Sequence, residues 1–277
     1  MKSQAPGQRA VYRHRLVTRV CHWVNVLALS VLLMSGLQIF NAHPRLYWGQ
    51  YGANADPALL EMGAVQNQDG SATGVTKLGP WTFKTSGVLG LSKVDGQPQQ
   101  RGFPAWITLP SYQDLATGRR WHFFFAWLFV INGAVYWLHT LISGHLKKDL
   151  LLRPEEARLR PLLQDVWDHI RLKKPQGEAA TRYNPLQKIA YLKVIVLLLP
   201  LMLLTGLTMT PGMDAAWPIL LTVFGGRQSA RTLHFITANL LVLFLIIHLV
   251  EVLLTGVVNE VRSMITGWWV VKAEKVQ

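Results

Sequence analysis

Four histidines stand at the heads of, or inside, strongly apolar stretches: His22, His122, His234 and His248. An imidazole in hydrocarbon is costly without a partner, and haem iron takes imidazole as an axial ligand. The most telling pair is His234 and His248, fourteen residues apart within the apolar run 233–258. At about 100° and 1.5 Å per residue, fourteen helical steps return to within roughly 40° of the starting face, about 21 Å further along. One helix thus presents two imidazoles on one side at two depths, as a shared wall of two haem sites would.

Such residues need membrane-spanning elements to hold them. Half of the 277 residues are apolar and 16% are charged, more apolar sequence than a soluble domain of this size hides. Four stretches, 20–40, 121–142, 190–210 and 233–258, are each long enough to cross a core of about 30 Å. The run 215–225 is too short and reads as interfacial. The expected fold is an all-α membrane protein, one cytochrome-like domain over 1–277, in which four spanning helices enclose two haems and a long outer loop joins the first two.

The net charge of +13 is sorted by position. Nineteen of the 28 basic residues fall before the first span, between Lys147 and Lys193, or in the C-terminal tail (Arg262, Lys272, Lys275). By the positive-inside rule both termini and the second loop are cytoplasmic in a bacterial inner membrane, and the excess charge serves topology and anionic lipid, with no nucleic-acid patch implied. Residues 20–40 read as a retained span: the run exceeds a signal-peptide core, and Asn41-Ala42-His43-Pro44 is a poor cleavage site. The lone Cys21 excludes an intramolecular disulfide and any Cys-x-x-Cys-His attachment, so haem here is non-covalent and of b type.

On this topology His22 and His248 share the inner depth and His122 and His234 the outer one, giving two bis-histidine sites. Gly36 lies fourteen residues after His22, and Gly133 eleven after His122, so each of these two ligand helices offers a glycine at the level of the other haem. The bland alternative for both glycines is close helix packing. It applies equally to the echo between Ser35-Gly36-Leu37 and Thr205-Gly206-Leu207. For any single intramembrane histidine the ordinary role is a hydrogen-bonded interior residue or a proton relay; four at matching depths favour ligation. His139 rivals His122 on the second helix, but seventeen residues on it sits about 100° off that face. It fits better near the lipid headgroups or in a cytoplasmic-side quinone site with Glu251, three residues after His248; alternatively Glu251 pairs with Arg15 or Arg19. Arg19, Arg119, Arg120 and Arg231 are candidates for propionate contacts, with interfacial snorkelling as the equal alternative. His14, His43, His145 and His169 read as ordinary loop or flanking histidines.

The loop 41–120 is rich in Gly, Pro, Asn and Gln and carries Tyr47, Trp48, Tyr51, Trp81, Phe83, Phe103 and Trp106, which suits partner docking or a self-packed cap over the outer haem. Residues 162–172 suit a short amphipathic surface helix.

Taken in combination, Arg19-Val20-Cys21-His22-Trp23-Val24-Asn25, Ser35-Gly36-Leu37, Gly118-Arg119-Arg120-Trp121-His122, Thr205-Gly206-Leu207 and the His234/His248 pair resemble a known family. It comprises the membrane cytochrome b subunits of bacterial nickel-iron hydrogenases, formate dehydrogenases and thiosulfate reductases, with related small di-haem cytochromes b. The resemblance implies electron transfer between a quinone pool, ubiquinone or menaquinone, and a redox protein on the outer face. Residues 102–120 look most like the thiosulfate-reductase type, which implies a periplasmic molybdopterin oxidoreductase as partner. Two other readings use the same helices: a stand-alone enzyme that oxidises superoxide and reduces quinone, and a histidine-lined proton or metal transporter.

Overall fold

The computed structural model describes residues 8–144, 146, 150–156, 158–171 and 184–272. In chain order these form β1 (Gln8–Tyr12), α1 (Leu16–Asn41), six strands β2 (Arg45–Leu46), β3 (Leu60–Gln66), β4 (Ala72–Leu78), β5 (Trp81–Lys84), β6 (Gly90–Val94) and β7 (Gln97–Arg101), then α2 (Leu115–Ile142) and α3 (Leu159–Ile170). There follow α4 (Pro185–Leu192), a π-helical stretch (Lys193–Leu198), α5 (Leu199–Thr208), α6 (Pro211–Ala216), α7 (Ile219–Phe224), α8 (Arg227–Thr255), α9 (Val257–Thr266) and β8 (Trp268–Lys272). Among the described residues four helices are long and apolar enough to cross a membrane: α1, α2, the continuous run Pro185–Thr208, and α8.

Caps explain why these helices overrun their apolar cores. The Asp114 carboxylate accepts from the Thr117 amide at 3.0 Å, so α2 begins at Leu115, six residues before the apolar run. Asn184 and Gln187 form a reciprocal capping box with Pro185 in the first turn, which starts α4 at 185 where apolarity alone suggests 190. At the other end, Gly256 has φ of +118°, a backbone state that side chains disfavour, and it stops α8 at Thr255, short of the expected 258. The expected surface helix at 162–172 is matched by α3, with Leu172 outside the described residues.

The all-α expectation is corrected in the α1–α2 connection and at the two ends of the described chain. Strands β2 to β5 form one antiparallel sheet, β6 and β7 a hairpin, and β1 pairs with β8. The connection is strand-forming for local reasons. Asn67 and Ser71 close the β3–β4 turn through Asn67 N–H to the Ser71 carbonyl at 2.7 Å, with the Asp69 carboxylate accepting from the Ser71 amide at 2.9 Å. In the resulting register Met62 faces Thr76, and both are buried. Phe40, Leu46 and Met62 form a core with Leu60, Leu89, Phe103 and Phe235, so the sheet is sewn to the ends of α1 and α8. The strand pattern escapes a hydropathy reading because small and polar residues such as Thr73, Gly74, Gln97 and Gln99 break the alternation in β4 and β7, and β5, Trp81-Thr82-Phe83-Lys84, alternates over just four residues.

Two compact units can be distinguished. One comprises Asn25–Ile131 and Leu201–Ala238 and contains the sheets of the α1–α2 connection; the other comprises Met1–Val24, Asn132–Pro200 and Asn239–Gln277. Below they are called the loop unit and the terminal unit.

Candidate functional site

The loop unit brings together His122 of α2 and His234 of α8, with ring centroids 6.3 Å apart and planes at 63°. Two residues on other helices hold the rings. The Ser35 hydroxyl on α1 donates to the Val31 carbonyl at 2.6 Å and lies 3.1 Å from Nδ1 of His122. The Leu32 carbonyl lies 3.1 Å from the same nitrogen. On α5 the Thr205 hydroxyl donates to the Leu201 carbonyl at 2.6 Å and lies 3.0 Å from Nδ1 of His234. A hydroxyl has one proton, and each of these is committed to its own helix. Toward the ring it can only accept, so Nδ1 carries the proton and Nε2 is left with its lone pair, the form that ligates metal. Glycine follows both hydroxyl residues. A Cβ at Gly36 would stand 3.3 Å from Cε1 of His122, and one at Gly206 3.5 Å from Cε1 of His234. The echo in the sequence is therefore one device used twice: a back-bonded hydroxyl orients an imidazole, and a bare helix backbone lets the ring approach.

The terminal unit brings together His22 of α1 and His248 of α8, with centroids 6.4 Å apart and planes at 67°. Here the surroundings are aromatic. Phe244 stacks on His248 at 6.0 Å and 12°, Tyr191 meets Phe244 edge-on at 6.5 Å, and Trp23 meets His22 edge-on at 5.4 Å. Among the described residues no hydrogen bond reaches either of these two imidazoles. In the same unit Asn132 donates to the Cys21 carbonyl at 2.9 Å, tying α2 to α1 beside Gly133, and a Cβ at Gly133 would meet nothing within 4 Å.

Both pairs fit a ligand sandwiched between two imidazoles. A ligating nitrogen lies about 2 Å from its metal and its ring centre roughly 1.1 Å beyond, so opposed rings on one ion have centroids about 6 Å apart. A bare structural ion would draw three or four protein ligands, whereas among the described residues no group of three or more His, Cys, Asp or Glu side chains is arranged to hold one. Two imidazoles facing each other across about 6 Å in each unit, with open space beside Gly133 in the terminal unit, are a donor set that would suit haem b.

The other sequence candidates are scattered. Arg19 donates to the Ile265 carbonyl while its buried Nε has no partner among the described residues. Arg119 lies over the Phe123 ring at 5.5 Å, and Arg120 donates to Thr117 at 3.0 Å, both exposed. Arg231, one helical turn before His234, donates to the His43 carbonyl at 2.5 Å and lies 5.4 Å over Phe40. Among the described residues it has no carboxylate partner, which makes it the arginine best suited to an acidic group near the His122–His234 pair. His43 itself stacks on Tyr47, and burial with the charges of Arg231 and Arg45 holds its ring below the usual histidine range. In the terminal unit Nε2 of His139 is buried and has no partner among the described residues, and Glu251 lies within electrostatic reach of Tyr191. No ion pair links Glu251 to Arg15 or Arg19 among the described residues.

Residues 13–267 match the prokaryotic cytochrome b561 family. The chain is also similar to a protein of Azospira oryzae whose name reads "Putative protein-methionine-sulfoxide reductase subunit YedZ1". The two are 26% identical over 249 residues, which cover 90% of this chain and 93% of the relative. No solved structure matches.

Proposed function

The chain belongs to the prokaryotic cytochrome b561 family, and from that premise we propose that it is a di-haem electron-transfer subunit linking the quinone pool to a periplasmic oxidoreductase of the molybdopterin type. Membership makes it a membrane haem b protein of electron transport. The observation that carries the di-haem reading is the pair of matched imidazole separations, 6.3 and 6.4 Å, one in each unit.

When bound, haem b supplies the one-electron chemistry of its iron. The chain's own residues do the rest. His122 and His234 hold one haem and His22 and His248 the other, Gly133 leaves room along α2, and Arg231 offers a cation to an acidic edge. Arg19, Arg119 and Arg120 would add cations for propionates; in the structure Arg19 is tied to the Ile265 carbonyl, Arg119 lies over Phe123 and Arg120 donates to Thr117. Quinone chemistry needs proton donors, and the imidazole of His139, whose Nε2 has no partner among the described residues, with the carboxylate of Glu251, both in the terminal unit, supports a quinone site there.

The charge asymmetry of the sequence supports cytoplasmic termini in a bacterial inner membrane, and with them an outer position for the α1–α2 connection. That connection exposes Trp48 (60%), Tyr51 (84%), Trp81 (64%) and Trp106 (75%), the residue types that anchor protein interfaces. Tyr47 and Phe103 are instead packed inward, so only part of the loop's aromatic content serves the cap. A relative named as a reductase subunit supports the same role for this chain.

The test is the purified full-length protein. The account expects a reduced bis-imidazole haem b spectrum with two haems per chain, reduction of those haems by a quinol, and copurification of a periplasmic redox protein. A Trp48→Ala, Trp106→Ala double variant should slow partner-driven haem reduction at least about tenfold while sparing quinol-driven reduction. A colourless protein would favour the transporter reading, and haem reduction by superoxide without any copurifying partner would favour the stand-alone enzyme.

A further inference from the structure

We infer that the hydroxyls of Ser35 and Thr205 are positioning residues that set the reduction potential of the haem held between His122 and His234, and leave the other haem untouched. The inference rests on the haem reading above and adds to it what tunes one site against the other.

A serine or threonine within a helix commonly bonds back to the carbonyl four residues earlier, and that is its ordinary role. Ser35 and Thr205 make that bond, at 2.6 Å each, and both are fully buried. The bond does not exhaust the oxygen. Its lone pairs face an imidazole carried by a different helix, 3.1 and 3.0 Å away, and this happens at both ligands of one pair. A ligating histidine whose second ring nitrogen donates to an acceptor becomes a stronger electron donor to the metal. Stronger donation favours the ferric state and lowers the potential. The His22–His248 pair has aromatic neighbours in place of acceptors, so the same lever is missing there among the described residues.

The hydroxyl can be removed without removing the ligand. The Leu32 carbonyl shares Nδ1 of His122, so the ring keeps one acceptor and its place when Ser35 loses its oxygen. The experiment is a potentiometric titration of haem absorbance in the full-length protein, comparing wild type with the Ser35→Ala, Thr205→Val double variant. One of the two midpoint potentials should rise by at least a tenfold shift in the ferric-to-ferrous equilibrium, about 59 mV for one electron, while the other stays in place. Ser35→Thr and Thr205→Ser keep the acceptor and should keep the wild-type values. Loss of one haem in the double variant, with retention in the conservative pair, would also support a positioning role.

Two unchanged potentials in a double variant that retains both haems would overturn the inference, as would equal shifts of both. Haem loss in the conservative variants as well would assign these side chains to packing volume alone and overturn it too. Failure of the underlying haem reading looks different: wild type itself would then lack bis-histidine haem before any variant is made.

Discussion

The two histidine pairs are nearly identical in separation and opposite in support. His122 and His234 are gripped by hydroxyl and carbonyl oxygens on α1 and α5, whereas His22 and His248 are flanked by Trp23 and Phe244. Energetically the two kinds of support are alike: a net hydrogen bond and an aromatic contact are each worth about 0.5–1.5 kcal/mol. They differ in direction. A back-bonded hydroxyl dictates which ring nitrogen carries the proton, while a stacked ring fixes the plane and is indifferent to the tautomer. On the proposed di-haem reading the separation is common because both pairs would meet the same coordination demand; the support differs because each unit has its own neighbours.

The largest effect that can break this comparison is loss of ligands. His122→Ala or His234→Ala should remove one haem, and His22→Ala or His248→Ala the other, each taking the haem content from two per chain to one. His139→Ala should keep both. If it lost a haem while His122→Ala kept both with unchanged spectra, the α2 ligand would be wrongly assigned.

Gly133 separates cofactor space from fold. Because a Cβ there meets nothing within 4 Å, Gly133→Ala should leave helical content intact and even favour the helix by about 0.5–1 kcal/mol. Gly133→Leu should expel the haem of the His22–His248 pair with the far-ultraviolet circular dichroism unchanged. A Leu variant with both haems would mean the open space is not haem space.

The glycines of the loop unit sharpen the comparison more finely. Gly36→Ala places a Cβ 3.3 Å from the His122 ring, tighter than ordinary contact, whereas Gly206→Ala places one at an ordinary 3.5 Å from His234. Gly36→Ala should therefore shift the spectrum of the haem at that pair and Gly206→Ala should do so less. The reverse order would show that the two copies of the device are not equivalent in tightness.

The smallest effect belongs to the terminal unit alone. Burial holds the Glu260 carboxyl on α9 above the usual glutamate range, with Arg13 at 3.9 Å pulling the other way. The folded protein then retains a proton that the unfolded chain has released, so the stabilisation is complete below the ordinary value of about 4.3 and is lost as pH rises through the raised one. Hydrogen exchange in the β1–β8 pairing should quicken over that interval, and Glu260→Gln should flatten the profile. Identical profiles in the two proteins would remove Glu260 as the cause.

Much of the candidate site was legible because helical spacing is arithmetic. His234 and His248 fall on one face of α8, and the depth matching of His22 with His248 and of His122 with His234 names the same pairs whose rings meet in the structure. Ser35 and Thr205 were visible only as an echo, hydroxyl then glycine then leucine, which helix packing explains equally well until the neighbouring rings are placed. The helix starts at Leu115 and Pro185 were missed because hydropathy marks the apolar core, while Asp114 and Asn184 cap the polar turn before it. The strands of the α1–α2 connection were hidden for a related reason. Residues such as Thr73, Thr76, Gln97 and Gln99 carry no hydropathy alternation, and only turn bonding and register bring them into sheets.

The most direct test of the central claim is haem stoichiometry with spin state, measured together on the purified full-length chain. The account predicts two haems b per chain, both low-spin and six-coordinate in the oxidised and reduced states, as two bis-imidazole sites require. One haem per chain, or a high-spin fraction equal to one site, would contradict it.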